Sequence, residues 1–189
     1  MSHIEFIFGP AYSGKSKFAF NELDTNLPTS AIMFSPPEVE ATMQLMFQQS
    51  ATWKSAQQLI FDVNPQNLNQ ALQDALQKSN QIIVDGINLW CVQEIIKTSK
   101  IYSQEHLIEH MNTEIKNLLL NCKTILDSSQ EVSVRKKIIF VSNEVGAGVV
   151  PERPFDRVFR LVLSQINQLL AENSGRCKFI VAGLPIHLK

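Results

Sequence analysis

The sequence predicts an α/β fold, a mostly parallel sheet with helices on both faces. Three observations carry that expectation. Short, nearly all-apolar runs recur at IEFIF (4–8), AIMFS (31–35), QIIVD (81–85), KIIFVS (137–142) and KFIVA (178–182), and strands of this kind are buried on both sides. Segments with apolar residues at helical spacing alternate with them. The first run passes directly into a glycine-framed loop and then a helix start, giving the order strand, loop, helix.

Taken in order, 4–8 is β-branched and aromatic, and 16–20 (SKFAF) reads as a first helical turn. The run 31–35 is closed by Pro36-Pro37, which stops a strand at its carboxyl end. A helix is expected over 38–49, then a strand over 57–63 (QQLIFDV) reached through Trp53. Proline at position 65 suits a first helical turn, and Leu68, Leu72, Ala75 and Leu76 continue a helix to 79. The strand 81–85 ends in Asp85, and GINLW begins a new segment. Leu107, Ile108, Met111, Ile115, Leu118, Leu119, Cys122, Ile125 and Leu126 give 105–126 the stripe of a long amphipathic helix. Strand 137–142, amphipathic helix 155–170 and strand 178–182 complete the alternation. Ligands of such sheets sit at the carboxyl ends of the strands, so Gly9 to Ser16, Ser35, Asp85 and Asn143-Glu144 should share one rim.

At 189 residues, without repeat, low-complexity tract or linker, the chain is expected to be one domain spanning 1–189. Its formal net charge is −1, which offers no basic excess for nucleic acid. The three cysteines, Cys91, Cys122 and Cys177, fit neither a disulfide framework nor a CxxC metal pattern. No apolar run approaches the roughly 18 residues of a membrane span, and no basic-then-apolar leader precedes the first strand. A cytoplasmic location is expected.

The loop carries the sharpest signal. GPAYSGKS places Gly9, Gly14, Lys15 and Ser16 at the fixed positions of G-x-x-x-x-G-K-S. In a phosphate-binding loop, successive backbone N–H groups curl around a phosphate, the following helix adds its positive end, and the lysine adds a mobile cation. The serine hydroxyl is a Mg²⁺ donor. Pro10, Ala11, Tyr12 and Ser13 fill the variable places, and Pro10 removes one N–H early in the loop. Nucleotide contact is therefore expected from Gly9 to Ser16.

Asp85, at a strand end, suits the second acidic group of such a site, holding Mg²⁺ directly or through water; a helix N-cap is the alternative. Glu144, in SNEVGAGVVP, lies on a rim loop where it would orient a substrate hydroxyl or close a turn. His106 and His110 stand one turn apart, but two ligands do not make a metal site, and neither they nor His3 and His187 are assigned catalysis.

SNEVGAGVVP, RVFRLVLSQINQLLAE and FIVAGLPIHLK, together with GPAYSGKS and IIVDG, resemble the bifunctional adenosylcobinamide kinase/adenosylcobinamide-phosphate guanylyltransferase family of cobalamin biosynthesis. The resemblance implies a RecA-like P-loop NTPase fold, a homotrimer, phosphorylation of the aminopropanol hydroxyl of adenosylcobinamide, and GMP transfer from GTP through a guanylylated histidine. In the family that histidine lies between the second strand and a tryptophan, in a pattern of arginine, histidine, then W-x-T-x-E. Here Trp53 keeps its place, Ser55 and Gln57 replace the threonine and glutamate, and the histidine position falls near Gln44 and Leu45. No histidine occurs between His3 and His106. Tyr12 stands for an arginine, and Leu161, Ser164 and Gln165 stand for aspartate, glycine and arginine.

The expectation that follows is a GTP- or ATP-dependent P-loop kinase that uses Mg²⁺ and phosphorylates the hydroxyl of a corrinoid acceptor, adenosylcobinamide. Lys15, Asp85 and Glu144 are its catalytic candidates, Ser16 and Asp85 its metal ligands, and Ser35, Gln57 and Asp85 join the loop in contacting nucleotide. The guanylyl-transfer nucleophile is lost or moved, with His106 or His110 as replacements in a fully bifunctional enzyme. A nucleotide sensor or scaffold without turnover is the reading from another class.

Overall fold

A computed structural model of the chain describes residues 3–36, 59–128 and 136–189. In chain order these form β1 (Ile4–Gly9), α1 (Lys15–Asn21), β2 (Thr29–Met33), β3 (Leu59–Val63), α2 (Leu68–Lys78), β4 (Gln81–Asp85), α3 (Ile87–Thr98), α4 (Gln104–Ser128), β5 (Lys137–Asn143), α5 (Pro154–Asn173), β6 (Arg176–Val181) and β7 (Leu184–His187). The seven strands make one sheet in the order β3-β2-β4-β5-β1-β6-β7. All neighbours are parallel except β7, which runs antiparallel to β6 at the edge.

Alternation along the strands builds two cores. Ile4, Phe6, Ile32, Phe34, Ile82, Val84, Ile138 and Phe140 face α2, α3, α4 and α5, whereas Ile7, Ala31, Met33, Ile83, Ile139, Val141 and Ile180 face α1. Each such Ile, Val or Phe contributes about 1.5–3 kcal/mol by leaving water. The α/β class with helices on both faces is as expected.

The amino end of the α1 face is held by charge. Glu5 is met by Lys137 at 3.3 Å, Arg176 at 3.4 Å and Lys178 at 3.9 Å, and Lys178 also pairs with Glu22, at the end of α1, at 2.5 Å. Both Glu5 and Lys178 are buried.

Several details differ from the sequence reading. α2 starts at Leu68 behind the N-cap Asn67, whose side chain accepts from Gln70 N–H, so Pro65 lies ahead of the helix, and β6 starts at Arg176, two residues early. β2 begins at Thr29 and ends at Met33, two residues earlier than expected, because its polar start is satisfied internally: the Thr29 hydroxyl donates to the Leu27 carbonyl at 3.0 Å and Ser30 shares a 2.8 Å hydrogen bond with Ser79. β7 was not expected at all. The last helix begins at Pro154 and continues to Asn173, past the expected end at 170. The expected helix over 38–49, Trp53 and Gln57 lie outside the described residues.

Candidate phosphate-binding site

β1 delivers Gly9 to the rim, and the chain turns through residues 10–14 into α1. A side chain on Gly9 would collide with the Ile180 carbonyl of β6, so glycine is what lets the two strands close beneath the loop. Gly14, with φ 91, is the N-cap of α1 and supplies no side-chain cap. The first helical bond, Phe18 N–H to the Gly14 carbonyl at 2.9 Å, leaves the preceding amides to the loop. Ser13 is buried, and its carbonyl accepts from Gly183 N–H at 2.8 Å, which ties the β6–β7 turn to the loop. Pro10, Ala11 and Tyr12 are exposed, Tyr12 fully so and with φ 59.

Lys15, in the first turn, is buried and donates to the Pro10 carbonyl at 2.5 Å, with Ser13 Oγ at 3.5 Å. Burial lowers its pKa, and the Asp85 carboxylate opposes that shift only in part. Burial likewise raises the Asp85 pKa, against hydrogen bonds from Ser16 and Gly86 and the attraction of Lys15. For both groups desolvation is the largest cause, so the charged form of each carries a cost.

Asp85 does not serve as a helix cap. The N-cap of α3 is Gly86, with φ 90, and a side chain there would strike the Phe34 carbonyl. Asp85 Oδ2 is buried and has no hydrogen-bond partner among the described residues. A carboxylate with a spare oxygen beside a serine hydroxyl is a hard-oxygen donor set of the kind Mg²⁺ takes, so Ser16 and Asp85 fit that ion. Among the described residues no group of three His, Cys, Asp or Glu side chains could hold a metal without help from a ligand.

Ser35 follows β2 and is buried, its Oγ also without a partner among the described residues. Asn64 binds both sides of its backbone: Ser35 N–H donates to Asn64 Oδ1 at 3.1 Å, and Asn64 Nδ2 donates to the Ser35 carbonyl at 3.0 Å. Gln93 of α3 donates to the same Asn64 oxygen at 3.2 Å. Sequence reading missed Asn64 and Gln93, although Asn64-Pro65 is a turn signal.

Glu144 follows β5. Its N–H donates to the Gly9 carbonyl at 2.8 Å, and its carboxylate accepts from Gly146 N–H, which closes the turn. Arg160 donates to the carbonyls of Val149 (2.8 Å) and Gly146, and Arg157 to those of Pro151 (3.1 Å) and Glu152 (2.6 Å), so α5 clamps the whole loop. Asn167 fixes the end of β5 by donating to the Asn143 carbonyl at 3.0 Å. His106 and His110 lie on α4, which packs on the face opposite α1; His106 shares a 3.0 Å hydrogen bond with Ser103, and His110 meets the Tyr102 ring. The rim therefore gathers Gly9 to Ser16, Ser35, Asp85 and Glu144, and leaves the two histidines in another layer.

Residues 5–188 match a family model described as cobinamide kinase / cobinamide phosphate guanyltransferase. The chain is 32% identical over 79 residues to the bifunctional adenosylcobalamin biosynthesis protein CobU of Escherichia coli (strain K12), a match covering 42% of this chain and 39% of that protein. It is 38% identical over 53 residues to CobU of Salmonella typhimurium, covering 28% and 29%. To CobP of Pseudomonas aeruginosa it is 45% identical over 53 residues, covering 28% and 31%. The matched stretches thus span well under half of each relative. A solved protein from Pyrococcus horikoshii OT3 superposes on the whole chain and 87% of its own length with a TM-score of 0.51 at 14% identity, a likeness of fold.

Proposed function

The chain belongs to the cobinamide kinase / cobinamide phosphate guanyltransferase family, and from that premise we propose that residues 1–189 act as one nucleotide-binding domain that phosphorylates the hydroxyl of adenosylcobinamide at the expense of ATP or GTP. One observation carries the kinase reading. Behind a G-x-x-x-x-G-K-S loop, Asp85 takes a hydrogen bond from Ser16 and the attraction of Lys15, and keeps a buried oxygen without a hydrogen-bond partner among the described residues.

In this reading the backbone N–H groups from Ala11 to Ser16 cradle the phosphates. Lys15 exchanges the Pro10 carbonyl for the β- and γ-phosphate oxygens, where its charge opposes the charge developing in the loose transition state. Ser16 and Asp85 hold Mg²⁺, which when bound supplies charge neutralisation at the phosphoryl oxygens. Glu144 acts through the loop it closes. Tyr12 lies at the mouth of the loop, where a nucleotide leaves the cradle.

The proposed activity does not extend to guanylyl transfer. The family nucleophile has no histidine counterpart in the sequence, and His106 and His110 sit in the layer opposite α1. Nucleotide labelled in the γ-phosphate should deliver label to adenosylcobinamide, while GTP labelled in the α-phosphate should leave the chain unlabelled. Bound nucleotide with no labelled corrinoid would contradict the kinase reading. The homotrimer implied by the family is carried as part of the proposal, supported by the exposed Leu184, Ile186 and Leu188 along the edge; mass in solution tests it.

A further inference from the structure

We propose that Ser35, held in place by Asn64 and Gln93, forms the acceptor side of the transfer site in place of the nucleotide contact expected from the sequence, its hydroxyl oxygen receiving the hydrogen bond of the alcohol that is phosphorylated. The proposal rests on the phosphoryl-transfer reading above and assigns a residue to the half of the reaction that the phosphate loop leaves unexplained.

Register places Ser35 on the working face. Met33 pairs with Asp85 across β2 and β4. Ile32 and Phe34 belong to the core beneath α2–α5 and Met33 to the core beneath α1, so alternation returns Ser35 to the α1 face, the face of Asp85. The Phe34 N–H donates to the Asp85 carbonyl at 2.9 Å, so the two chains still run side by side where Ser35 begins.

The serine is then fixed with more machinery than a loop residue needs. Asn64 holds its N–H and its carbonyl at once, Gln93 holds Asn64, and the Asn64 N–H is anchored on the Met33 carbonyl at 2.8 Å. To do this Asn64 adopts φ 50, a left-handed backbone that asparagine reaches at a smaller cost than most non-glycine residues. Three elements thus combine to immobilise a residue whose own hydroxyl, 4% exposed as a residue, is satisfied by nothing among the described residues. An orphan buried hydroxyl is itself unfavourable. A bound partner for that hydroxyl would offset both costs.

Strand order says which partner. From the phosphate loop on β1 the rim passes β5, then β4 with Asp85, then β2. In-line transfer puts the incoming oxygen on the far side of the phosphoryl group from the leaving nucleotide. Neighbouring strands lie about 4.8 Å apart, so β2 stands one strand beyond the carboxylate, away from the loop that would hold the leaving diphosphate. As the acceptor oxygen bonds to phosphorus, the bond from phosphorus to the β–γ bridging oxygen breaks, nucleoside diphosphate leaves and the acceptor proton passes to solvent. Ser35 keeps its own proton and orients the acceptor; Asn64 and Gln93 are positioning residues.

Ser35→Ala and Asn64→Gly test this, glycine being able to keep φ 50. Nucleotide affinity is read by equilibrium dialysis with ATP and GTP, and transfer by initial rates with adenosylcobinamide. In both variants kcat/KM for adenosylcobinamide should fall about 3- to 10-fold, the scale of one hydrogen bond, through a raised KM. Nucleotide affinity should stay within about twofold, the range left when a contact is not touched. Ser35→Thr, which keeps the hydroxyl, should retain transfer. A fall in nucleotide affinity matching the fall in kcat/KM would move Ser35 to the nucleotide side and overturn the assignment, as would undiminished transfer by Ser35→Ala. If the unsubstituted protein binds nucleotide yet phosphorylates no adenosylcobinamide, the proposed function fails and this assignment with it.

Discussion

The two ends of the sheet beneath α1 are built on opposite terms. At the amino end, Glu5 is ringed by Lys137, Arg176 and Lys178, and Lys178 reaches on to Glu22, so the buried charges have opposite charges within 4 Å, although Glu5 Oε2, 3.9 Å from Lys178, takes no hydrogen bond among the described residues. At the carboxyl end, Lys15 is turned onto a backbone carbonyl, and Asp85 Oδ2 and Ser35 Oγ have no partner among the described residues. The same strands and helix supply both ends. Cations close directly on carboxylates where they hold the fold, whereas at the rim, where a charged ligand is to be received, the attraction between Lys15 and Asp85 offsets burial only in part.

The contrast can be broken at either end. The largest effect on stability should come from Lys178→Met, which removes the 2.5 Å partner of Glu22 and one of three cations around Glu5 and should cost about 1.5–3 kcal/mol of unfolding free energy, measured in urea. Phosphoryl transfer by that variant, assayed where it is still folded, should be nearly unchanged. Lys15→Ala should do the reverse. Transfer to adenosylcobinamide should drop about 100- to 1,000-fold, the usual consequence of removing one transition-state charge partner, with no loss of stability. Smallest should be Glu144→Gln, which keeps an acceptor for Gly146 N–H: transfer should change by less than about threefold, as expected of a residue acting through its turn. A loss as deep as that of Lys15→Ala would instead put the Glu144 carboxylate on the substrate.

Much of the rim was legible in the sequence because its signals are local. Gly9, Gly14, Lys15 and Ser16 lie within one turn of chain, and Asp85 closes an apolar run. What could not be read depends on residues far apart. Asn64 and Gln93 matter through contacts to Ser35 and to each other across 29 positions, and Asn64 alone looks like any turn residue. Asn167, 24 positions from the carbonyl it holds, reads as one polar residue on an amphipathic helix. β7 was hidden by Pro185 and by its few residues, and forms because Ala182 and Gly183, both at positive φ, turn the chain back onto β6. The start of β2 was hidden by Thr29, whose hydroxyl turns to the Leu27 carbonyl, and by Ser30, whose hydroxyl meets Ser79 only once the chain has folded.

The central claim, that the carboxyl end gives up stability for ligand, is tested most directly by comparing the unfolding free energies of the unsubstituted protein and Asp85→Asn without nucleotide across pH. Burial outweighs attraction for both Asp85 and Lys15, so removing the carboxylate should stabilise the fold at pH 7, by about 1–3 kcal/mol on the scale of a buried unsatisfied group. The folded pKa of Asp85 is raised, so its protonated form is tolerated and its ionised form is not: the unsubstituted protein should lose stability relative to the variant as pH rises from 3.8 through the folded value, and the two should converge below 3.8. An Asp85→Asn protein less stable than the parent at pH 7 would mean that the carboxylate is a structural partner after all, and would contradict the account.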